Sequence, residues 1–373
     1  LSLVLDRLAV LHRLSWLVDR AVFWMWISGL LGMSTIFAEA ILAQVFRQKK
    51  DGEVYGGPAY YISQGIKNKR FAKILSIVFA IFLILALGFA GNMVQSNSIA
   101  LSMQEGFGIN PAYTGIALAV LVSMIVMGGV QRISKIAEMI VPVMAAVFIL
   151  SGLVILFMFR QNIIPVFKLI FQSAFSTSAV FGGAVGISVQ HAIKMGLARG
   201  LFANEAGIGS TPHANAIADV DHASKQGYIS MITVIIDTFI VCTVSALIIL
   251  VTGANEIGSA HFAGVLQNGF DIALGGSGSV FYAISVFFFG FTTILGWYYY
   301  GESNVMYLFG EDAINYYKIF AIIAIVGGTI VSVGAIYNVS DLLNGLMVIP
   351  NILGILILST VVKKNKNEIN KLK

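Results

Sequence analysis

Nine stretches of this chain stay apolar over about the twenty residues that a membrane-crossing helix needs. They lie near 21–46, 72–103, 112–130, 136–159, 165–193, 227–252, 278–309, 317–336 and 341–362, separated by polar, charged or glycine-broken runs. Lipid offers the backbone no hydrogen-bond partners, so spans of this length are read as helices. The pattern predicts an all-α polytopic membrane protein.

The loops carry a second pattern. Arg47, Lys49, Lys50, Lys67, Lys69 and Arg70 follow the first span; Arg132 and Lys135 follow the third; Lys194, Arg199 and Lys225 follow the fifth. Lys363, Lys364, Lys366, Lys371 and Lys373 follow the ninth. Alternate loops, Gln104–Pro111, Gly253–Gly278 and Tyr337–Asp341, contain no Lys or Arg, whereas Arg160 and Lys168 break the rule. Basic loops stay on the cytoplasmic side, which puts the C-terminus in the cytoplasm and the protein in the cell membrane. The loop with Glu302, Glu311, Asp312 and Lys318 favours neither side.

Residues 1–20 have apolar positions at helical spacing but carry Asp6, Arg7, Arg13, Asp19 and Arg20. Each charge at the centre of a span costs roughly 2.5–3.5 kcal/mol, so this segment reads as an interfacial amphipathic helix.

Composition agrees with the pattern. Hydrophobic residues make up 58% and charged residues 11%, against roughly 25% charged in soluble domains. The 38 glycines suit closely packed membrane helices. A single cysteine, Cys242, excludes a disulfide framework or a cysteine metal site. The net charge of +5 resides in loops and reports orientation rather than a nucleic-acid partner. No Ser/His/Asp, His-rich or paired-carboxylate constellation points to an enzyme, and no ring-forming filter points to a channel.

Several polar stretches carry the candidate chemistry. Gly196–Ala218, GLARGLFANEAGIGSTPHANAIA, packs Arg199, Asn204, Glu205, His213 and Asn215 between two apolar blocks. Such backbone at membrane depth must be buried in protein or line a wet cavity. Glu39 sits inside the first span and is either a functional carboxylate or the partner of an interfacial cation such as Arg47. In Gly91–Ala100, Asn92, Gln95 and Ser96 share one helix face. Asn92 and Ser96 read equally as interhelical glue. Gln95 needs partners that lipid cannot supply, and a ligand's carboxylate or amine would satisfy it. Phe175–His191, with Gly182, Gly183 and Gly186 beside Ser176, Thr177 and Ser178, has the composition of a broken helix. Freed backbone there binds charged ligand groups; close helix packing is the alternative. In Gly290–Glu302, Thr292 and Thr293 offer hydroxyl oxygens suited to a hard cation, and Trp297 lies one turn beyond Thr293. Trp24, Trp26 and Tyr298–Tyr300 read as aromatic anchors at the membrane edge, and Gly56–Ile62, GGPAYYI, as a cytoplasmic turn.

Four of these stretches resemble, in order, the signatures of the alanine/glycine:cation symporter family. They are Phe23–Trp26 followed by Gly29, Gly56–Ile62, Asn204–Ser210, and Thr292–Glu302. The resemblance implies an inverted-repeat, LeuT-like fold and a domain plan of an atypical N-terminal segment 1–20, a transmembrane transporter domain 21–362 and a basic tail 363–373. It implies substrate contacts at Gln95, Gly182, Gly183, Thr293 and Trp297 and sodium contacts at Thr292 and Thr293. Na⁺ is the coupling ion and no other cofactor is expected; the partners are a small amino acid, Na⁺ and the lipid bilayer. The nine spans map onto core helices two to ten of the family. The preceding scaffold helix and the first core helix, with its Gly-Thr-Gly-Asn motif, are expected to be missing. Two functions follow: sodium-coupled symport of a small neutral amino acid, alanine or glycine, or a transport-inactive truncated or frameshifted member of the same family.

Overall fold

The computed structural model describes residues 18–50, 53–175, 185–257 and 262–371. Helix α1, Val18–Val45, leads into a two-stranded antiparallel hairpin of β1, Gln48–Lys50, and β2, Glu53–Tyr55. A short helix α2, Pro58–Gly65, precedes a continuous helical run made of α3, Lys69–Leu83, a wider π-type segment, Ile84–Gly91, and α4, Asn92–Phe107. Next come α5, Pro111–Val126, α6, Gly129–Met158, α7, Arg160–Phe175, α8, Val185–Asn204, and α9, Pro212–Ile217. A second run contains α10, Ala223–Val234, a π-type segment, Ile235–Cys242, and α11, Thr243–Thr252. Short helices α12, Ala254–Ile257, and α13, Phe262–Leu274, lead to the long α14, Ser277–Phe309. The chain closes with α15, Ile314–Gly328, α16, Val333–Ile357, and α17, Ser359–Lys371.

Six described helical runs are long and apolar enough to cross a membrane: Val18–Val45, Lys69–Phe107, Gly129–Met158, Ala223–Thr252, Ser277–Phe309 and Ile336–Ile357. The other three expected spans fall on shorter pieces. Helix α5 has 16 residues, about 24 Å at 1.5 Å per residue, less than the roughly 30 Å hydrocarbon core. Expected span 165–193 falls on α7 and α8, and 317–336 on the 15-residue α15. The expected boundary at Arg20/Ala21 lies within α1, whose first turn holds Asp19 against the positive end of the helix dipole.

Small residues set the packing. A Cβ on Gly196 would lie 2.5 Å from Trp24 Cβ, and one on Gly200 would lie 2.7 Å from Ser28 Cβ, so α8 approaches α1 almost backbone to backbone. Helix α1 also packs along α10, the run Lys69–Phe107 along α14, and α5 along α15. In each pair the second partner begins roughly 200 residues after the first. The largest apolar core, with Ile99, Leu118, Val122, Ile294, Tyr298 and Ile325, fills the space among α4, α5, α14 and α15. Exposed Leu150, Leu153, Val154 and Phe157 on α6 face outward, as lipid-facing residues do.

Several expectations change here. Gly56–Ile62 is not a turn: its Pro58 starts α2, whose Tyr60, Tyr61 and Ile62 are buried. Tyr298 and Tyr299 are interior, not a belt at the membrane edge. Trp24 and Trp26 are half-buried, and their indole N–H groups donate to Ala174 O at 3.3 Å and to Thr243 Oγ1 at 2.9 Å on neighbouring helices. Arg199 and Asp341, assigned to loops on opposite sides, lie within α8 and α16 and pair at 3.0 Å. Helical side chains reach across the bundle, which a count of loop charges ignores. Residues 1–17, including most of the expected amphipathic segment, lie outside the described residues.

Candidate functional site: a carboxylate clamp beside a polar cavity

Two polar centres lie within the bundle. The first is built around the loop Glu205–Thr211 between α8 and α9. Glu205 is the one described non-glycine residue with positive φ, +54°, and Gly207 and Gly209 have φ of +90° and +92°. A Cβ on Gly209 would lie 2.7 Å from the Phe79 ring, so glycine is required there by both conformation and space. This left-handed path folds the loop back on itself and turns its amides inward.

Two carboxylates, the buried Glu39 and the half-buried Glu205, tie the loop down. Glu39 of α1 accepts from Gly207 N at 3.1 Å and from Asn351 Nδ2 of α16. Asn351 Nδ2 also donates to Gly207 O at 2.9 Å, and Tyr61 OH of α2 donates to Asn351 Oδ1. Glu205 accepts from Ser210 Oγ at 2.6 Å and, with its other oxygen, from Trp297 Nε1 of α14 at 2.7 Å. Four elements distant in sequence thereby meet at one loop. The expected Glu39–Arg47 pair does not form: Arg47 donates to the carbonyls of Ala216 and Ala218, and amides take its place at Glu39.

Farther along the loop, His213 is fully buried between the rings of Phe79 and Tyr300. Burial pushes its pKa down to about 4, so the ring is neutral near pH 7. Its Nδ1–H donates to Ser210 O and its Nε2 accepts from Asn304 Nδ2, both at 2.8 Å. A Cβ on Gly57, where φ is +124°, would lie 2.5 Å from His213 Nε2, which explains the glycine before Pro58. Asn215 is similarly enclosed, accepting from Gln226 Nε2 at 2.8 Å and Ser230 Oγ at 3.1 Å.

The second centre is a cavity of about 300 Å³ between α4, α11, α13 and α14. Gln95 and Thr293 both line it, joined by Ser98, Tyr282 and Ser285. The Thr293 hydroxyl donates to Phe289 O at 2.8 Å and the Thr292 hydroxyl to Phe288 O and Phe289 O at 3.0 Å, leaving their oxygens free to accept or coordinate. Thr292 is buried and faces away from the cavity lining. Trp297, one turn beyond Thr293, belongs to the clamp: its ring packs edge-on to Phe202 with centroids 5.8 Å apart and touches the backbone space at Gly91. Gly182 and Gly183 lie outside the described residues.

Sequence reading missed Ser98, Tyr282 and Ser285. Ser98 follows Gln95 by three residues, and Tyr282, Ser285, Phe289 and Thr293 form one stripe along α14. Extending each candidate's helical face by about three turns would have found them. On the face of α4 assigned to the candidate site, Asn92 and Ser96 bond their own helix, to Gly88 O and Met93 O. The bonds to other elements come instead from Asn97, to Gly328 O at 2.8 Å and Val331 O at 3.2 Å, and from Ser98, whose hydroxyl lies 3.3 Å from Tyr337 OH of α16.

Comparison with known proteins identifies the family of the chain. The model of the Sodium:alanine symporter family matches residues 19–373. The chain is 41% identical over 357 residues to the sodium/alanine symporter AgcS of Methanococcus maripaludis, covering 95% of this chain and 78% of that protein. It is 40% identical over 356 residues to the putative sodium/proton-dependent alanine carrier protein YrbD of Bacillus subtilis, covering 91% and 72%. A probable sodium/glutamine symporter, GlnT of Bacillus subtilis, is 38% identical over 343 residues, covering 92% and 70%. The extent of the match does not by itself bear out the expected omission of two helices. With a family match from residue 19 onward and several helices long and apolar enough to span a bilayer, the chain is a multi-pass membrane protein that belongs to the sodium:alanine symporter family.

Proposed function

We propose that this protein is a symporter that moves a small neutral amino acid, alanine or glycine, together with Na⁺. The observation that carries this reading is the cavity between α4 and α14, where the Gln95 amide and the Thr293 hydroxyl face one space. Gln95 supplies donors and an acceptor for an amino acid's charged groups, and the Thr293 oxygen replaces part of the hydration shell of Na⁺. At about 300 Å³ the cavity is at the lower end of small-molecule sites and suits a short side chain. The relatives named for sodium/alanine and sodium/proton-dependent alanine transport support the same reading.

Trp297, one turn beyond the cavity residue Thr293, joins α14 to the clamp through its bond to Glu205. The paired packing of α1 with α10, Lys69–Phe107 with α14 and α5 with α15 supports an inverted-repeat, LeuT-like fold, in which substrate sites lie between repeats. The nine hydrophobic stretches then correspond to successive helices of the two repeats, with the shorter α5, α7, α8 and α15 buttressed by neighbours. Basic residues from Lys67 to Lys73 and from Lys363 onward support a cytoplasmic C-terminus in the cell membrane.

Proteoliposomes containing the protein test the proposal. An inward Na⁺ gradient should drive accumulation of labelled alanine or glycine, and Gln95→Ala should raise the concentration needed for half-maximal uptake. Accumulation that favours glutamine over alanine, or that ignores Na⁺, would reject the substrate or the ion.

A further inference from the structure

A second concavity, of about 510 Å³, opens on the side of the bundle between α1, α10 and α17. One stripe of α17 forms its upper wall: Ser359, Val362, Lys363 and Lys366 stand at i, i+3, i+4 and i+7. Both lysines are exposed, and no described acid pairs with either; the described salt bridge of this helix joins Lys364 to Glu368. The lower wall is apolar, from Phe37 of α1 and from Tyr228 and Met231 of α10.

The walls are fixed in place. The Phe37 and Tyr228 rings meet at 5.1 Å, and a Cβ on Gly227 would lie 2.7 Å from Phe37, so a glycine there lets the two helices close beneath the groove. Val361 and Val362 pack against the cluster of Leu42, Ile62 and Leu358, which holds α17 against the bundle end. Depth distinguishes the ligand. Ser34 and Phe37 precede the end of α1 by eight to eleven residues, which is about 12–16 Å along the helix axis. The groove therefore runs from a basic rim down to the level of lipid acyl chains. A free anion would use the lysines and leave the apolar wall unfilled; a zwitterionic lipid would fill the wall but gain little from two cations.

We infer that the groove bounded by Lys363, Lys366, Phe37, Tyr228 and Met231 binds an anionic phospholipid, with its phosphate at the lysines and its acyl chains against the α1–α10 wall. Basic pockets beside membrane helices recognise such headgroups through charge and hydrogen bonding. The site is separate from the Gln95 cavity and shares no lining residue with it.

The test is a lipid titration of the purified, delipidated protein followed by native mass spectrometry, using phosphatidylglycerol and phosphatidylcholine with identical chains. Phosphatidylglycerol should be retained preferentially. Lys363→Gln/Lys366→Gln should lower its affinity roughly tenfold without changing that of phosphatidylcholine. Lys67→Gln/Lys73→Gln makes the same change in net charge elsewhere and should have little effect. A phosphatidylglycerol with a photoreactive acyl chain should label peptides containing Phe37 or Met231. Equal retention of the two lipids, equal effects of the two double variants, labelling elsewhere, or displacement by inorganic phosphate would each overturn the assignment.

Discussion

The clamp and the cavity lie on neighbouring parts of α14, yet they treat polar groups in opposite ways. At the clamp every carboxylate oxygen of Glu39 and Glu205 has a protein donor, supplied by Gly207, Asn351, Ser210 and Trp297. Lining the cavity, the Gln95 amide has no hydrogen-bond partner among the described residues and faces open space with Thr293. Buried polar groups that are fully satisfied specify a unique arrangement; those that are not satisfied await a ligand. The Asn204–Ser210 signature thus marks the fastening of the bundle, and Gln95 and Thr293 mark its proposed binding space.

That contrast predicts a hierarchy of effects, beginning with the clamp. Asn351→Leu removes the donor to Glu39 and to Gly207 O at once, and leaves a buried carboxylate short of a partner. A loss of about 2.5–4 kcal/mol is expected, from about 1.5–3 for the hydrogen bond to a carboxylate and about 1 for the one to Gly207 O. Thermal unfolding monitored by size-exclusion chromatography should show it, and an unchanged transition would mean that Glu39 finds another donor.

His213 supplies the next largest effect. Its pKa is near 4 in the folded protein and near the ordinary value of 6.5 when unfolded, so below pH 6.5 the unfolded state takes up the proton first. Stability is therefore retained above pH 6.5 and lost as pH falls toward 4, by up to roughly 3 kcal/mol. The unfolding midpoint should fall over this window, and the fall should be shallower in His213→Gln. Equal slopes would assign the acid sensitivity to other groups.

Trp297→Phe keeps the ring against Phe202 but removes the donor to Glu205. Hydrogen bonds to charged groups contribute about 1.5–3 kcal/mol, so a smaller loss of stability is expected. If Trp297 also bounds the substrate space, amino-acid uptake should weaken beyond what the stability loss explains; uptake scaling only with the amount of folded protein would confine Trp297 to the clamp.

Thr293→Val should have the smallest effect on stability, within about 0.5 kcal/mol, because it keeps the shape of the side chain and its hydroxyl bonds only its own helix. Its expected signature is functional, a higher Na⁺ concentration for half-maximal uptake. An unchanged Na⁺ requirement would assign Thr293 to packing. Together the four variants separate a region whose mutation unfolds the protein from one whose mutation alters transport.

Much of the fold was legible in advance because lipid imposes a local rule. Each apolar run had to become helix, and the described parts of the nine expected stretches fall largely on helices. The candidate chemistry was partly legible for a related reason: Gln95, Thr293, Glu39 and Glu205 are polar groups in apolar surroundings, and composition alone singles them out. Less visible was the role of each. The aromatic residues Trp24, Trp26, Tyr298 and Tyr299 look like edge anchors in sequence, since nothing in a linear pattern tells an inward helix face from an interfacial one.

Sequence alone determined the helical class, the approximate extent of the hydrophobic stretches, the family and the list of polar residues needing partners, because these depend on composition over short windows. Only tertiary structure decided which partners they found. Glu39 meets Asn351 across 312 positions, Trp297 meets Glu205 across 92, and Arg199 meets Asp341 across 142. Those pairings follow from how whole helices stack through Gly196, Gly200 and Gly227, and from the left-handed turn at Glu205–Gly209 that aims backbone amides into the bundle. Helix packing brings distant positions together at a cost and gain distributed over many side chains, so no single stretch of sequence contains the information.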